Sequence, residues 1–232
     1  MLPIRDHERS HRFPFVTIGI IALNVWVFFQ ELAAPSLEQF IERWALIPAL
    51  VDSSDVTSLV PFLTSQFLHA GIAHILFNMW FLWIFGDNVE GHFGHVRFLA
   101  FYLSAGIIAG LAQLFFSLGS PIPMLGASGA VAGVLGAYWV LFPRHRVDTL
   151  LPFGFGSITT LPASVVLLFW FAGQLFSGIG SLGVGAATGG VAWWAHIGGF
   201  VFGWLVARAT RRTLRHEYPP HEHSVENIDL WK

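Results

Sequence analysis

The sequence predicts an all-α membrane protein that crosses the bilayer six times and has a short helix as its fourth span. Three observations support this prediction: 54% of the 232 residues are hydrophobic, the apolar residues form six separate runs, and the cations lie almost entirely on one side of those runs. Only 11% of the residues are charged, against about 25% in a typical soluble domain. The chain has no cysteine, which excludes disulfides, a thiolate nucleophile and cysteine metal ligands.

The apolar runs divide the chain into a membrane domain and two polar ends. The first run has no small-residue cleavage site after it and is long enough to span, so we interpret it as a helix and not as a removed signal. We expect residues 1–14 to form a cytoplasmic N-terminal segment, residues 15–210 the membrane domain and residues 211–232 a flexible cytoplasmic tail. The six candidate spans are residues 15–34, 72–89, 96–116, 129–142, 162–177 and 192–210.

The placement of the cations predicts the orientation of the chain. If the N-terminus is cytoplasmic, Arg43 is the only one of the twelve Lys and Arg residues on the far side of the membrane. This distribution is what the positive-inside rule predicts for six spans with both termini in the cytoplasm.

The segment between the first two spans, residues 35–64, faces the side opposite the termini in this topology. Apolar residues such as Trp44, Leu46 and Phe62 alternate there with polar ones. Two interpretations remain open: short helices that lie in the membrane interface, or a plain connector.

Span two carries polar side chains in an apolar setting. His74 and Asn78 are four residues apart and share one face of a helix, and His69 precedes them. Polar groups inside a span are functional candidates by default, although hydrogen bonding between helices is a structural alternative. A metal site is less favoured, because zinc normally takes three protein ligands and no carboxylate lies at this end of the helix.

Two further sets of residues, in span three and at the end of span two, are interpreted as structural. In span three, Gly106 and Gly110 favour close packing, and Gln113 favours a hydrogen bond to a neighbouring helix. The charged end of span two is interpreted as a solvated turn with local pairing, formed by Asp87, Glu90, His92, His95 and Arg97.

Span four is too short to cross the whole bilayer. Its 14 residues rise about 21 Å, whereas the hydrocarbon core is about 30 Å thick. Pro143 and Arg144 mark the cytoplasmic end, so the stretch Gly126-Ala127-Ser128-Gly129 at the other end lies within the membrane. Small residues around a serine often form only a packing motif. A buried helix start, however, also offers free N–H groups to an anion.

The polar groups of three spans lie at similar depth. Counted from the cytoplasmic boundaries, Ser128, His196 in span six and His74 lie about 24, 18 and 20 Å deep at a rise of about 1.5 Å per residue. Helix tilt blurs such values by several ångströms, so the three share one layer, which favours a common site.

Span five contains Gln174 but no evident reactive group, and the glycine-rich residues 177–190 are expected to be mobile.

Together these residues have a chemical interpretation. Ser128 can act as a nucleophile with His196 as its base, and His74, Asn78 and the Ser128 backbone N–H can stabilise an oxyanion. No Asp or Glu is predicted at this depth, so the pair would be a dyad and not a triad. The stretch is not a Gly-x-Ser-x-Gly elbow, because position 130 is Ala130.

These motifs resemble the rhomboid family of intramembrane serine proteases. The matching stretches are Gly126-x-Ser128-Gly129, His74-x-x-x-Asn78 with His69 before it, and Ala195-His196-x-x-Gly199-x-x-x-Gly203, within residues 15–210. The resemblance implies a six-transmembrane-helix rhomboid-like bundle in which Ser128 and His196 form the catalytic dyad and His74 and Asn78 stabilise the oxyanion. It also implies supporting roles for Gly126, Gly129, Gly199, Gly203 and His69.

The resemblance also implies a reaction and its partners. The chain would hydrolyse peptide bonds in or near transmembrane segments of membrane-protein substrates that enter laterally from the lipid bilayer. The segment before span two would be the family's membrane-embedded first loop, and span five with the loop after it would form a gate and cap. We expect no cofactor, no metal and no nucleic acid, and a location in the plasma (inner) membrane of a prokaryote.

One position departs from the family pattern. Some members have a tyrosine four residues after the nucleophile, where it stacks on the catalytic histidine, and this chain has Ala132 there. Trp193, Trp194 or a ring from another span could orient His196 instead.

Two other functions stay open from the residues alone. One is a transporter or channel, which also places polar groups in mid-membrane. The other is a membrane protein that uses His74 and His196 as metal or haem ligands.

Overall fold

The structure is a computed structural model that describes residues 1–151, 156–182 and 191–217, with side chains described as far as residue 210. Within these residues the chain forms three short strands and eight α-helices. The strands are β1 (Leu2–Asp6), β2 (Arg146–Leu150) and β3 (Ile158–Pro162). The helices are α1 (Phe15–Ala33), α2 (Leu37–Trp44), α3 (Pro61–Thr64), α4 (Ile72–Phe93), α5 (His95–Phe116), α6 (Ser128–Leu141), α7 (Ala163–Ser181) and α8 (Trp193–Glu217).

Each of the six apolar runs forms one helix, and these helices are α1, α4, α5, α6, α7 and α8. Several helices end later than predicted, because they continue beyond the apolar runs from which their ends were predicted. α4 continues to Phe93, α7 to Ser181 and α8 to Glu217. The first part of the predicted flexible tail is therefore helical, and residues 218–232 lie outside the described residues. Most of the segment predicted to be mobile, residues 183–190, also lies outside them.

The helices of the described residues fit a membrane protein that crosses the bilayer more than once. Three of them, α1, α5 and α7, are long and apolar enough to span. The segment Val56–Phe67 and α4 pass the same test together but are bent by 79°. α6 is apolar and has only 14 residues, as the short fourth run predicts.

The centre of the bundle is α6, which contacts α4, α5, α7 and α8. Its residues from Gly129 to Tyr138 are all buried. The contact with α8 is close because the two helices meet at glycines. A Cβ at Gly199 would overlap the Gly129 carbonyl, and a Cβ at Gly203 would overlap the Gly133 carbonyl. Small residues permit this approach of two backbones, which brings the N-terminal turns of α6 and α8 together.

The segment between α1 and α4 contains short helices, as one of the two interpretations predicts. Besides α2 and α3 it forms three single 3₁₀ turns, and α2 has no buried residue. Leu46 is buried, and its backbone exchanges hydrogen bonds of 3.0 and 2.8 Å with Met124. The segment is therefore tied to the chain that leads into α6.

The prediction of an all-α chain misses one element, an antiparallel sheet in the order β1–β2–β3. β2 and β3 contain β-branched residues such as Val147, Thr149 and Ile158, which favour strands. Each strand has only five residues, and β1 pairs with a segment more than a hundred residues away, as in the pairing of Leu2 with Leu150. A local sequence pattern does not reveal such a partner.

Asp6 anchors this sheet to the helices. Its buried carboxylate accepts hydrogen bonds from Asn88 of α4 (2.8 Å) and from the hydroxyl of Tyr138 of α6. His145 hydrogen-bonds the same hydroxyl through Nδ1 (3.0 Å) and pairs with Glu8 through Nε2 (3.0 Å). The N-terminal segment is therefore held against one end of α4 and of α6.

The turn at the end of α4 is not simply solvated, because Glu90 is buried. Its carboxylate accepts hydrogen bonds from the N–H groups of Val16 (2.9 Å) and Thr17 (2.7 Å), and from the Thr17 hydroxyl (2.7 Å). His95 Nδ1 lies 2.6 Å from Oε1 of this carboxylate, the oxygen that also accepts from Val16. The first N–H groups of a helix have no partner within the helix, and a carboxylate there also matches the helix dipole. Glu90 therefore fixes the start of α1 against α4.

We predict that Glu90→Ala destabilises the protein by about 1–3 kcal/mol, because it leaves the buried donors of Thr17 and the partly buried N–H of Val16 without an acceptor. Denaturation of the purified protein in detergent micelles measures this change. Glu42→Ala is the matched control, because Glu42 is exposed on α2. Equal stability of the two variants would contradict the role of Glu90.

Candidate active site

The residues predicted to share one layer line a common cavity of about 740 Å³. His74 and Asn78 reach it from α4, Ser128 from the start of α6 and His196 from the first turn of α8. Gln174 of α7 also lines it. The cavity therefore brings together polar side chains from four helices.

Ser128 and His196 are hydrogen-bonded to each other. Ser128 Oγ lies 2.8 Å from His196 Nε2, and His196 Nδ1 lies 2.6 Å from Gln174 Oε1. An amide oxygen only accepts hydrogen bonds, so Nδ1 carries the ring proton and Nε2 presents its lone pair to the hydroxyl. In this arrangement the imidazole can remove the serine proton, which is the activation that a serine nucleophile requires.

His74 presents a donor beside Ser128. Its Nδ1 accepts a hydrogen bond from the Ala70 N–H (3.3 Å), so the proton of the neutral ring is on Nε2. This edge of the ring lies against Gly126, where a Cβ would be only 2.8 Å from Nε2. Gly126 also has φ of +127°, a conformation that side chains disfavour. Glycine at this position therefore lets the imidazole approach Ser128.

Two more donors face the same cavity. Asn78 is buried and donates one N–H to the carbonyl of His74 (3.1 Å), which leaves its second N–H for the cavity. Ser128 begins α6, and the N–H of a first helical residue has no acceptor within its own helix. With His74 Nε2–H these groups form a set of three neutral donors, which can stabilise a developing oxyanion.

The predicted supporting residues lie around this set without entering it. The buried ring of His69 packs edge-on against His74 at 5.2 Å, and its backbone N–H donates to Glu31 (3.0 Å). Gly126 borders His74, as described above. The remaining three, Gly129, Gly199 and Gly203, lie in the α6–α8 contact and hold the two helices together.

The rings around His196 differ in part from the candidates proposed. Ala132 is buried and offers no ring. Trp193 approaches His196 edge-on at 6.3 Å, whereas Trp194 stacks on Phe116 instead. Trp170 of α7 lies 5.9 Å from His196 at an angle of 38°. One of the two named tryptophans therefore contacts His196, together with a ring from another helix.

The sequence did not single out Gln174 as a site residue, and it anticipated Trp170 only as an unnamed ring from another span. They are four residues apart on α7 and so share one face. A glutamine in an apolar helix is costly unless it has a hydrogen-bond partner. The presence of Gln174 in this apolar helix could therefore have indicated a partner on a neighbouring helix. Gln113 shows the same rule at work: its Oε1 accepts the Ala195 N–H (3.3 Å), which confirms the predicted bond between helices.

No cluster of metal-ligating side chains is found among the described residues. They contain no group of three or more His, Asp or Glu side chains arranged to hold a metal ion. Both nitrogens of His196 have protein partners, and His74 Nδ1 accepts from the backbone.

Comparison with known proteins agrees with the sequence resemblance. A protein-family model described as the Rhomboid domain matches residues 56–213. "Rhomboid protease GluP" of Bacillus subtilis is 37% identical over 199 residues, which cover 84% of this chain and 35% of that protein. "Rhomboid protein 1, mitochondrial" of Saccharomyces cerevisiae is 26% identical over 213 residues, which cover 90% of this chain and 56% of the relative.

A human relative, "Presenilin-associated rhomboid-like protein, mitochondrial", is 36% identical over 134 residues, which cover 56% of this chain and 33% of that protein. The chain thus spans between about a third and just over half of the length of these relatives. Because mitochondrial proteins stand among them, the expected location in a prokaryotic plasma membrane is not borne out.

We predict that Gly126→Ala destabilises the protein more than Gly119→Ala does. Both glycines have positive φ values, +127° and +75°, but a Cβ at position 126 would meet the His74 ring, whereas nothing lies within 4 Å of a Cβ at position 119. At either position, the positive φ by itself costs an alanine about 1–2 kcal/mol. Thermal denaturation of the two variants in detergent measures the difference, and equal midpoints would contradict the close approach of His74.

Proposed function

This chain belongs to the rhomboid family, and from that premise we propose that it is an intramembrane serine endopeptidase with Ser128 and His196 as its catalytic dyad. The observation that carries this proposal is the 2.8 Å contact between Ser128 Oγ and His196 Nε2 inside the cavity. A hydroxyl and an unprotonated imidazole nitrogen at this distance form a nucleophile and its general base.

The proposed reaction proceeds through an acyl-enzyme. Ser128 Oγ bonds to the carbonyl carbon of the scissile peptide while its proton moves to His196 Nε2, and the carbonyl oxygen becomes an oxyanion. When this intermediate collapses, the C–N bond breaks and the imidazolium protonates the leaving amine. A water molecule then attacks the ester with His196 again as base, which releases the new carboxyl terminus and restores the Ser128 hydroxyl.

We assign oxyanion stabilisation to His74 Nε2–H, the second Asn78 N–H and the Ser128 backbone N–H. All three are neutral donors that face one cavity, and donors that are fixed in place before the reaction stabilise an oxyanion most effectively. The hydrogen bonds that hold His74 at Ala70 and Asn78 at the His74 carbonyl support this assignment, because they orient the donors before the charge develops.

We further propose six transmembrane helices, with residues 1–14 and 211–232 in the cytoplasm on either side of a membrane domain of residues 15–210. The contacts between loops support this topology. β1 pairs with β2 across four proposed spans, and Leu46 pairs with Met124 across two. An even number of spans between paired segments puts both members on the same side of the membrane. The cation distribution then makes the side with β1 cytoplasmic.

The proposed substrates are transmembrane proteins that approach laterally from the lipid, between α7 and the rest of the bundle. α7 exposes large apolar residues on its outer side, including Phe169 and Phe176, and lines the cavity with Trp170 and Gln174 on its inner side. A helix shields its own peptide bonds, so a substrate must unwind locally. We expect cleavage near helix-weakening residues such as glycine and proline.

A serine-directed fluorophosphonate should label the wild-type protein but not Ser128→Ala, because the reagent requires an activated hydroxyl. Ser117→Ala is the matched control, since Ser117 lines the same cavity and should leave labelling intact. His196→Ala should lower the rate at which a transmembrane reporter is cleaved by about a thousandfold or more, while the protein still folds. Full cleavage by Ser128→Ala would refute the proposal.

His74→Ala and Asn78→Ala should each lower kcat by about 10²–10³-fold, the usual loss when one oxyanion donor is removed. Reporter cleavage in detergent or liposomes gives kcat and KM for each variant. Leu76→Ala is the control on the same helix, because Leu76 is largely exposed away from the cavity. If both variants keep the wild-type kcat, neither residue stabilises the oxyanion.

A further inference from the structure

We propose that Gln174 is the positioning residue that holds His196 in its reactive tautomer, an inference that rests on the proposed serine protease function. The distance of 2.6 Å between Gln174 Oε1 and His196 Nδ1 is that of a direct hydrogen bond. His196 is therefore held at both ring nitrogens, by Ser128 on one side and by Gln174 on the other.

The hydrogen bond from Nδ1 selects the protonation pattern that the reaction requires. A neutral imidazole has one N–H donor and one acceptor nitrogen, and the partner at one nitrogen determines the role of the other. With an oxygen acceptor at Nδ1, the lone pair of His196 is on Nε2 and faces the Ser128 hydroxyl. In the other tautomer Nε2 carries a proton and cannot accept the one from Ser128.

No other described group takes this role at His196 Nδ1. No Asp or Glu is among the described residues that line the cavity, and position 132 is alanine. Trp170 and Trp193 contact the imidazole ring, but an indole N–H only donates and so does not accept the Nδ1 proton. The tryptophans limit rotation of the ring, and Gln174 selects its tautomer.

An amide also suits the depth of the site better than a carboxylate would. Ionised side chains inside a membrane are expensive, whereas a neutral amide oxygen accepts a hydrogen bond without introducing a charge. The chain thus has a neutral third member where a soluble serine protease has an aspartate.

Gln174 makes the dyad depend on the position of α7. Its side chain and that of Trp170 reach the cavity from the same face of this helix, while neighbouring residues such as Leu175 and Phe176 are exposed on the other side. Movement of α7 away from α8 would withdraw the acceptor from Nδ1. The helix proposed to border substrate entry therefore also supports the general base.

The test compares Gln174→Leu and Gln174→Glu with wild type and with Leu175→Ala as the control on the same helix. Reporter cleavage gives kcat and KM, and the rate of fluorophosphonate labelling reports on Ser128 reactivity without a protein substrate. We expect Gln174→Leu to lower kcat and the labelling rate together by about 10- to 100-fold, with little change in KM. Gln174→Glu keeps an oxygen that accepts at the same place whether or not its carboxyl group is ionised, so it should recover most of this loss, and Leu175→Ala should behave as wild type.

The outcomes separate this inference from the proposed function. Wild-type protein that neither labels nor cleaves would overturn the protease function itself. If wild type is active and Gln174→Leu is equally active, only the role of Gln174 is overturned. Gln174→Glu that is less active than Gln174→Leu would overturn it too, because the amide would then act as a donor. Should Gln174→Leu fail to fold, Gln174→Met, which keeps the side-chain length, is compared with Gln174→Glu by the same criteria.

Discussion

The close contact of α6 with α8 is the constraint on which the site depends. Gly199 and Gly203 lie against the carbonyls of Gly129 and Gly133, so the two backbones are closer than a Cβ atom at either position would allow. Ser128 stands one residue before this contact on α6, and His196 three residues before it on α8. A larger side chain at these glycines would separate the helices by more than the 2.8 Å hydrogen bond between Ser128 and His196 tolerates. Packing of residues without functional groups therefore determines the distance between Ser128 and His196.

A second constraint is the pairing of buried polar groups. A polar group in an apolar interior costs free energy unless it has a partner, and several of the partners found here connect elements that are distant along the chain. Glu90 joins α4 to the start of α1, and Asp6 joins the sheet to α4 and α6. Gln174 joins α7 to His196 in the same way. These three polar residues thus hold the ends of the helices together and complete the candidate site.

Much of the fold follows from local properties of the chain. Apolar runs predict where helices start, because the bilayer requires continuous apolar surface and internally paired backbone. The six helix starts therefore agree with the prediction to within one residue. The sheet and the burial of Glu90 escaped prediction, because β1 pairs with residues 146–150 and Glu90 with residues 16 and 17. Which distant segments meet is decided by how the helices pack, and no short stretch of sequence records it.

The candidate site divides in the same way. The sequence by itself predicted which polar residues share one depth, because the rise per residue of a helix is constant. That prediction was enough to group Ser128, His196 and His74, which line one cavity. The depth of a residue does not reveal which neighbouring helix its side chain faces. Only the tertiary structure decided that Trp194 turns to Phe116 while Trp170 and Gln174 of α7 turn to His196. The rotation of each helix about its axis depends on packing against all its neighbours, and that rotation selected Gln174 as the partner of His196.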